Sequence, residues 1–200
     1  MGRKAINKER KKLTVKAELW LQDLFYKLQD KDLDVLTLDE IAELIDISKS
    51  TIYTYFRTKE EIYSTIVERI LEKLERLTYE KLFEGIDLLR EYERLLLNIC
   101  KIVQHISIHF LENIKLNFPD IWKKVNSCTN KILNTFMLLY KRGMSNATFN
   151  AYNIELLLMM DENFIMNVIT NSKAFSEKQL TLDELVNQYL VMRKRALVCS

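Results

Sequence analysis

Residues 48–59 concentrate hydroxyl and ammonium groups in a stretch that contains no acidic residue. Lys49, Arg57 and Lys59 give this stretch a local charge of +3. Ammonium groups bind phosphate oxygens, whereas hydroxyls both donate and accept hydrogen bonds at the edges of bases. We therefore predict a nucleic-acid contact by Ser48, Lys49, Ser50, Thr51, Tyr53, Thr54, Tyr55 and Lys59, with Thr37 preceding them at the start of another helix.

Two short helices must position this stretch, and capping signals mark where each begins. Thr37 is followed three residues later by Glu40, which is the spacing of a capping box. Ser48 is a second N-cap candidate, and the helix that it begins would run through Tyr55. The pattern predicts a pair of short helices between residues 37 and 55.

Three residues of this pair are in register for a helix-turn-helix. Ala42 is small enough for the two helix backbones to approach, and Asp46 stands where the turn needs a left-handed residue. Ile52 supplies the apolar side chain that holds the helices together. The alternative is an ordinary hairpin with a solvated second helix, but the agreement of small, turn and apolar positions favours the helix-turn-helix.

The same residues resemble the signature of the TetR family of transcriptional regulators. The matching residues are Ile41-Ala42, Ile47-Ser48-Lys49, Thr51-Ile52-Tyr53, Tyr55-Phe56 and Lys59-Glu60. The close resemblance covers about fifty residues, and the rest of the chain is similar only in layout. Asp46 replaces the usual glycine of the turn, and residues 29–34 replace a glycine after the first helix.

The resemblance implies an all-α protein whose N-terminal three-helix head is joined by a long helix to a regulatory and dimerisation domain. The expected divisions are a basic arm at 1–12, a DNA-binding domain at 13–60, and an effector-binding and dimerisation domain at 61–200. It also implies a homodimer, paired through its last two helices, that represses transcription from palindromic double-stranded DNA and is released by a small effector. The alternatives are a nucleoid- or division-associated DNA-binding protein on the same fold, or a helical enzyme or lipid carrier.

Composition agrees with a helical protein of 200 residues, since only three glycines and one proline are present. The formal net charge of +2 does not by itself indicate a nucleic-acid partner. Residues 1–12, however, hold six basic residues and one acid. This arm either follows DNA phosphates and the minor groove or acts as a solubilising tail.

The apolar periodicity predicts the remaining helices. A first helix is expected from Leu13 to about Leu28, and a fourth begins at Lys59 with Thr58 as its cap. Further helices are predicted at 79–89, 92–117, 121–141, 150–171 and 177–197. Pro119 is expected to open the helix predicted over 121–141, and Gly143 is expected to cap the C-terminal end of that helix.

Residues that could bind an effector lie in the second half of the chain. His105 and His109 stand four residues apart, with Glu112 three beyond, and a metal could use that spacing on one helix face. Their apolar neighbours favour packing or pocket lining instead, so we predict neither a metal nor another cofactor. The candidate effector pocket comprises His105, His109, Trp122, Phe136, Met137, Tyr140, Met160 and Phe164.

No nucleophile elbow, glycine-rich phosphate loop or paired carboxylates occur in a catalytic context, so we do not expect an enzyme. Cys100, Cys128 and Cys199 are widely spaced, which favours reduced thiols. The sequence contains neither a secretory signal pattern nor a long apolar run. We expect a cytoplasmic protein with no membrane partner.

Overall fold

The computed structural model describes residues 11–78, 85, 87–177 and 181–198. Within those ranges the chain forms nine helices and no strand, which confirms the predicted all-α class. The helices are α1 (Val15–Lys27), α2 (Leu38–Leu44), α3 (Lys49–Tyr55), α4 (Lys59–Leu77), α5 (Leu88–Val103), α6 (Ile108–Asn117), α7 (Pro119–Ser145), α8 (Ile154–Glu177) and α9 (Leu182–Leu197).

Side-chain caps begin the helices of the N-terminal head where the sequence predicts them. Thr37 accepts a hydrogen bond from the Glu40 backbone, and the Glu40 carboxylate accepts one from the Thr37 backbone, so the capping box is complete. Ser48 caps α3, and Thr58 caps α4. Each cap satisfies backbone N–H groups that the helix itself leaves without partners.

The turn between α2 and α3 has the predicted left-handed residue. Asp46 has φ 52°, and the Ile47 backbone donates to the Ala42 carbonyl over 3.0 Å. Ile52 is fully buried and Ala42 is nearly so, which places both between the helices. Ile52 therefore faces the core while the polar side of α3 turns outward.

The long helix α4 links the head to the rest of the protein. Its first turns bury Ile62, Tyr63 and Ile66, and the Tyr63 hydroxyl donates to the Leu33 carbonyl over 3.1 Å. α4 packs against α1 of the head and also against α5 and α7. A displacement of α4 would consequently shift the contacts both of the head and of the helices that follow α4.

The single helix predicted over 92–117 is wrong, because α5 ends at Val103 and α6 begins at Ile108. Ser107 caps α6, and its backbone N–H donates to the Gln29 side chain over 2.7 Å. The break docks this segment on the end of α1, a long-range contact that periodicity does not reveal. The helix predicted at 79–89 lies largely outside the described residues, although Leu88 and Leu89 belong to α5.

Gly143 is not a C-cap, since α7 continues to Ser145. A Cβ atom at Gly143 would lie 2.0 Å from a ring carbon of Phe149, so glycine is needed for close packing rather than for ending the helix. Ala147 supplies the left-handed residue after the helix, with φ 58°. The last two helices also begin later than predicted, at Ile154 and Leu182. None of the helices in the described ranges combines the length and apolarity needed to span a bilayer.

Candidate nucleic-acid interface and interior cavity

The outer face of α3 carries the polar side chains predicted to contact nucleic acid. Ser48, Lys49 and Ser50 are exposed, and the Tyr53 side chain is 39% exposed. Thr51 and Thr54 are half-buried beside them. Since Ile52 fixes the opposite face of the helix in the core, this surface is held outward on a rigid support.

Lys49 forms an ion pair with Asp39 of α2, with 2.6 Å between its Nζ and the carboxylate. The hydrogen bond that Lys49 donates to Asp39 raises the pKa of Lys49, so the ammonium stays charged. Both side chains are exposed, which makes the pair weak and open to competition. The sequence interpretation did not select Asp39 as a residue of the interface. The only sign of that role in the sequence was its position on the exposed face of α2.

Hydroxyl groups continue the polar surface along the first turns of α3. The Ser48 Oγ lies 2.8 Å from both the Ser50 Oγ and the Thr51 Oγ1. The Thr54 hydroxyl donates to the Ser50 carbonyl over 3.0 Å. Thr37 is also exposed, at the N-terminus of α2. The arrangement offers hydroxyl donors and acceptors beside one charged group, as a surface that contacts DNA requires.

Two of the predicted contact residues also anchor the head. The Lys59 ammonium donates to the carbonyls of Asp34 and Leu36 and so ties α4 to the loop before α2. The Tyr55 hydroxyl lies 3.2 Å from the Thr14 hydroxyl, and its ring packs near Trp20. These contacts fix the orientation of α3 relative to α1 and α4.

The base of the N-terminal arm lies beside α3. The Lys11 backbone N–H donates to the Thr54 carbonyl over 3.3 Å, and the side chains of Lys11 and Lys12 are exposed. The other basic residues predicted for the arm, Arg3, Lys4, Lys8 and Arg10, lie outside the described residues. The chain therefore enters the head next to the candidate interface.

An apolar cavity of about 270 Å³ lies among α4, α5, α6, α7 and α8. Its deep walls include buried side chains from four of these helices, namely Leu74, Ile99, Phe110, Ile114 and Cys128. Trp122, one of the candidate pocket residues, lines this cavity, whereas His105 lines a separate cleft between α1, α4 and α5. Most of the cavity wall comes from residues that the sequence interpretation did not select.

The remaining predicted pocket residues lie elsewhere. Phe136 packs against Tyr92, with 6.0 Å between ring centroids, and Phe164 stacks on Tyr189 at 3.8 Å. The Met160 sulfur is 3.8 Å from the Arg193 guanidinium. Met137 is half-buried on α7 and does not line this cavity.

A buried polar cluster joins α5, α7, α8 and α9. We call Tyr92, Tyr140, Asp161, Tyr189 and Arg193 the Asp161–Arg193 cluster. Asp161 is 1% exposed and accepts hydrogen bonds from all three tyrosine hydroxyls, including Tyr92 at 2.8 Å and Tyr189 at 2.9 Å. The Arg193 Nε lies 3.2 Å from the Asp161 carboxylate. Tyr140 thus belongs to this cluster rather than to the cavity.

Burial raises the pKa of each of the three tyrosines of the cluster far above its ordinary value, and the nearby Asp161 charge raises it further. The hydroxyls therefore stay protonated and act as donors. Burial alone would lower the pKa of Arg193, but Asp161 and the tyrosines more than offset this and the pKa is raised. The cluster is a fully hydrogen-bonded ion pair inside the helical domain.

His105 and His109 do not share one helix face, because α5 ends before the first and α6 contains only the second. The His105 ring packs against Tyr26 at 5.7 Å, whereas the His109 Nε2 lies 3.1 Å from the Asp32 carboxylate. In the part of the chain that is described, no three His, Cys, Asp or Glu side chains are grouped so that they could hold a metal.

Comparison with known proteins identifies the head and the fold. Residues 28–66 match the family described as bacterial regulatory proteins, tetR family. The uncharacterized HTH-type transcriptional regulator YvaF of Bacillus subtilis is 24% identical over 89 residues, which are 43% of this chain and 46% of that protein. This chain thus matches less than half the length of that relative.

Solved structures extend the similarity to the whole fold. A bacterial regulatory protein in the tetR family from Rhodococcus RHA1 has a TM-score of 0.74 at 14% identity, covering 94% of this chain and 100% of that one. The ketosteroid transcriptional regulator KstR2 of Mycobacterium tuberculosis has a TM-score of 0.72 at 12% identity, covering 96% and 99%. At such identities the likeness establishes the fold alone.

Proposed function

We propose that this chain is a repressor of the TetR family of transcriptional regulators, whose family description residues 28–66 match. It binds palindromic operator DNA as a homodimer and is released by a small-molecule effector. The observation that carries the proposal is the exposed polar face of α3, held outward by the buried Ile52. An α-helix presented in this way fits the major groove of B-DNA, where its side chains reach base edges.

Within this proposal, Lys49 and Tyr53 contact phosphates, with Tyr55 and Lys59 supporting them from the edge of the surface. Ser50, Thr51 and Thr54 approach base edges, and Ser48 and Thr37 face phosphates from the N-termini of α3 and α2. Selection of duplexes from a random pool tests this directly, and enrichment of one palindrome is the expected result. A pool without any enriched sequence would contradict an operator-specific function.

Lys49→Ala is expected to weaken binding to all duplexes, because a phosphate contact carries no sequence information. The slope of log affinity against log salt should become shallower by about 1, as for the loss of one phosphate contact. Fluorescence anisotropy at several salt concentrations measures both quantities. Lys123→Ala, which removes an exposed ammonium from α7, is the matched control and should change neither. An unchanged slope for Lys49→Ala would remove Lys49 from the interface.

The homodimer is proposed to form through the last two helices. Six of the fourteen large apolar side chains exposed in the described ranges belong to α8 and α9. We call them the apolar stripe, and they are Leu156, Met159, Met160, Met166, Val191 and Met192. Exposed apolar side chains concentrated on two helices are typical of an oligomer interface. Dimerisation would also set two copies of α3 against half-sites about 34–36 Å apart.

A glutamate at both Met159 and Met192 is expected to produce a monomer, because two charges per chain would be buried in the interface. Affinity for the selected palindrome should fall more than about tenfold while the helical content is retained. Light scattering coupled to size exclusion reports the mass. Leu116→Glu, at a side chain that is 77% exposed on α6, provides the control and should remain dimeric. A dimeric double variant would place the interface elsewhere.

Effector control is proposed to act through α4. Val67, Ile70, Leu71 and Leu74 form one wall of the cavity, while Ile62, Tyr63 and Ile66 of the same helix are buried beneath the head. A ligand that presses on the cavity wall would tilt α4 and with it α3. Because both copies of α3 must fit one operator at once, a small tilt is sufficient to lower DNA affinity.

A further inference from the structure

We propose that the cavity takes a compact apolar ligand whose polar end is a hydrogen-bond donor without negative charge, such as an amine or an alcohol. This inference rests on the proposed function, since it names the chemical class of the effector. It depends on the distribution of polar groups around the cavity, which is uneven.

The interior of the cavity selects for an apolar body. Its deep wall consists of buried aliphatic and aromatic side chains, including Ile99, Val103, Phe110 and Ile114. Protein interiors are otherwise close-packed, and a void lined in this way lacks the polar partners that hold water. An apolar guest would restore the missing contacts with the wall. The volume of about 270 Å³ restricts that guest to a small molecule.

Polar lining residues lie toward the solvent rather than in the interior. Asn126 of α7 and Glu162 of α8 are exposed, and Thr129 is half-buried next to them along α7. These three side chains therefore lie at the mouth, between α7 and α8. A ligand with one polar end would direct that end toward them.

The charge at the mouth is negative. Among the described lining residues Glu162 is the single charged side chain, and neither lysine, arginine nor histidine lines the cavity. Burial raises the pKa of the Cys128 thiol to about 11, so this wall residue is neutral near pH 7. A carboxylate or phosphate at the mouth would meet Glu162 with no cation among the described lining side chains; the Lys115 ammonium lies outside them, 5.7 Å from the ring of Trp122. An amine would be attracted to the same group, and an alcohol could donate a hydrogen bond to it.

Three probes with one tail and different heads test the proposal: octylamine, 1-octanol and octanoate. Calorimetric titration of the full-length protein without DNA, at low salt, should give tighter binding of octylamine and octanol than of octanoate. The expected ratio is about five- to tenfold for a partly solvated charge pair. The preference for octylamine should shrink as salt is raised, because the charges are screened.

Two substitutions assign the preference to this cavity. Glu162→Gln keeps the side-chain shape and should bring the three affinities to within about threefold of one another, since only the charge is removed. Val125→Phe adds volume to the wall and should abolish binding of all three probes. Leu138→Phe, at a partly exposed side chain of the same helix, is the control and should bind them as the unmodified chain does.

Octanoate binding as tightly as octanol, or a head-group preference that Glu162→Gln leaves unchanged, would overturn the ligand class. Probe binding that survives Val125→Phe would overturn its location. Neither result bears on DNA recognition, which is measured with the selected duplex in the absence of probes. Conversely, failure to bind any duplex would refute the proposed repressor while leaving the head-group preference intact.

Discussion

Replacing Asp161 with alanine is expected to lower the free energy of unfolding by about 3–5 kcal/mol. The carboxylate is buried and accepts hydrogen bonds from three tyrosines, and its loss leaves the Arg193 charge in the core without a counter-ion. Urea denaturation at one fixed protein concentration measures the change, so that a dimer equilibrium does not alter the comparison. A loss below about 1 kcal/mol would show that the cluster is not a significant source of stability.

The double variant Asp161→Leu with Arg193→Met separates the cost of an orphaned charge from the value of the ion pair. Because neither charge remains, this variant should be more stable than Asp161→Ala, recovering at least about half of the loss. Glu72→Ala supplies the comparison at the surface. It removes an exposed partner of Arg69, which keeps Glu18, and should cost less than about 1 kcal/mol.

Ile52→Ala is expected to destabilise the head by about 2–5 kcal/mol, the usual cost of truncating a fully buried aliphatic side chain. The cavity left between α2 and α3 would also loosen the helix that carries Lys49, so affinity for the selected duplex should fall together with stability. Thermal unfolding and DNA titration of the same preparation test both effects. Native DNA affinity in a destabilised variant would contradict the dependence of recognition on this contact.

Ile52→Val and Val35→Ala provide the matched controls. Ile52→Val removes one methyl group and should cost about 0.5–1.5 kcal/mol, with a correspondingly small loss of DNA affinity. Val35 is 68% exposed in the same head, and its truncation should remain within about 0.5 kcal/mol of the unmodified chain. If DNA affinity falls in the same order as stability across this series, the packing of α3 supports recognition. A general fault in folding would not produce that graded relation.

The stability of the Asp161–Arg193 cluster bears on how the protein could respond to an effector. Its ion pair and tyrosine hydrogen bonds hold α5, α7, α8 and α9 together. Three of these helices, α5, α7 and α8, line the cavity, and its remaining walls are α6 and α4, the second of which also contacts the head. With a rigid frame on one side, a ligand would act on α4, the wall helix that leads directly from α3 of the head. The proposed control therefore passes through the helix with partners in both parts of the molecule.

Local signals were sufficient to predict the head. The caps Thr37, Ser48 and Thr58 each bond to a backbone three residues later, so nearest neighbours in the sequence decide where these helices begin. Asp46 and Ile52 take their roles from the same short stretch. The outward polar face of α3 followed from these residues, whereas the all-α class followed from the family resemblance and from the scarcity of glycine and proline along the whole chain.

Tertiary structure alone decided the features that depend on residues far apart in sequence. The break at Ser107 is accompanied by a hydrogen bond to Gln29, and Gly143 is required by the ring of Phe149 rather than by a helix end. Arg193 shares an apolar helix face with Val186, Leu190 and Leu197, which signals burial, but its partner Asp161 is found only when α8 and α9 pack.

The cavity is another feature that tertiary structure decided. Its walls come from five helices, and the aromatic and methionine side chains that composition favours as pocket residues lie mostly elsewhere. Periodicity identifies which side of a helix is buried, but not which neighbour covers it or where packing leaves a void. Capping and turns depend on bonds between nearby residues, whereas cavities and buried ion pairs depend on how separate helices meet.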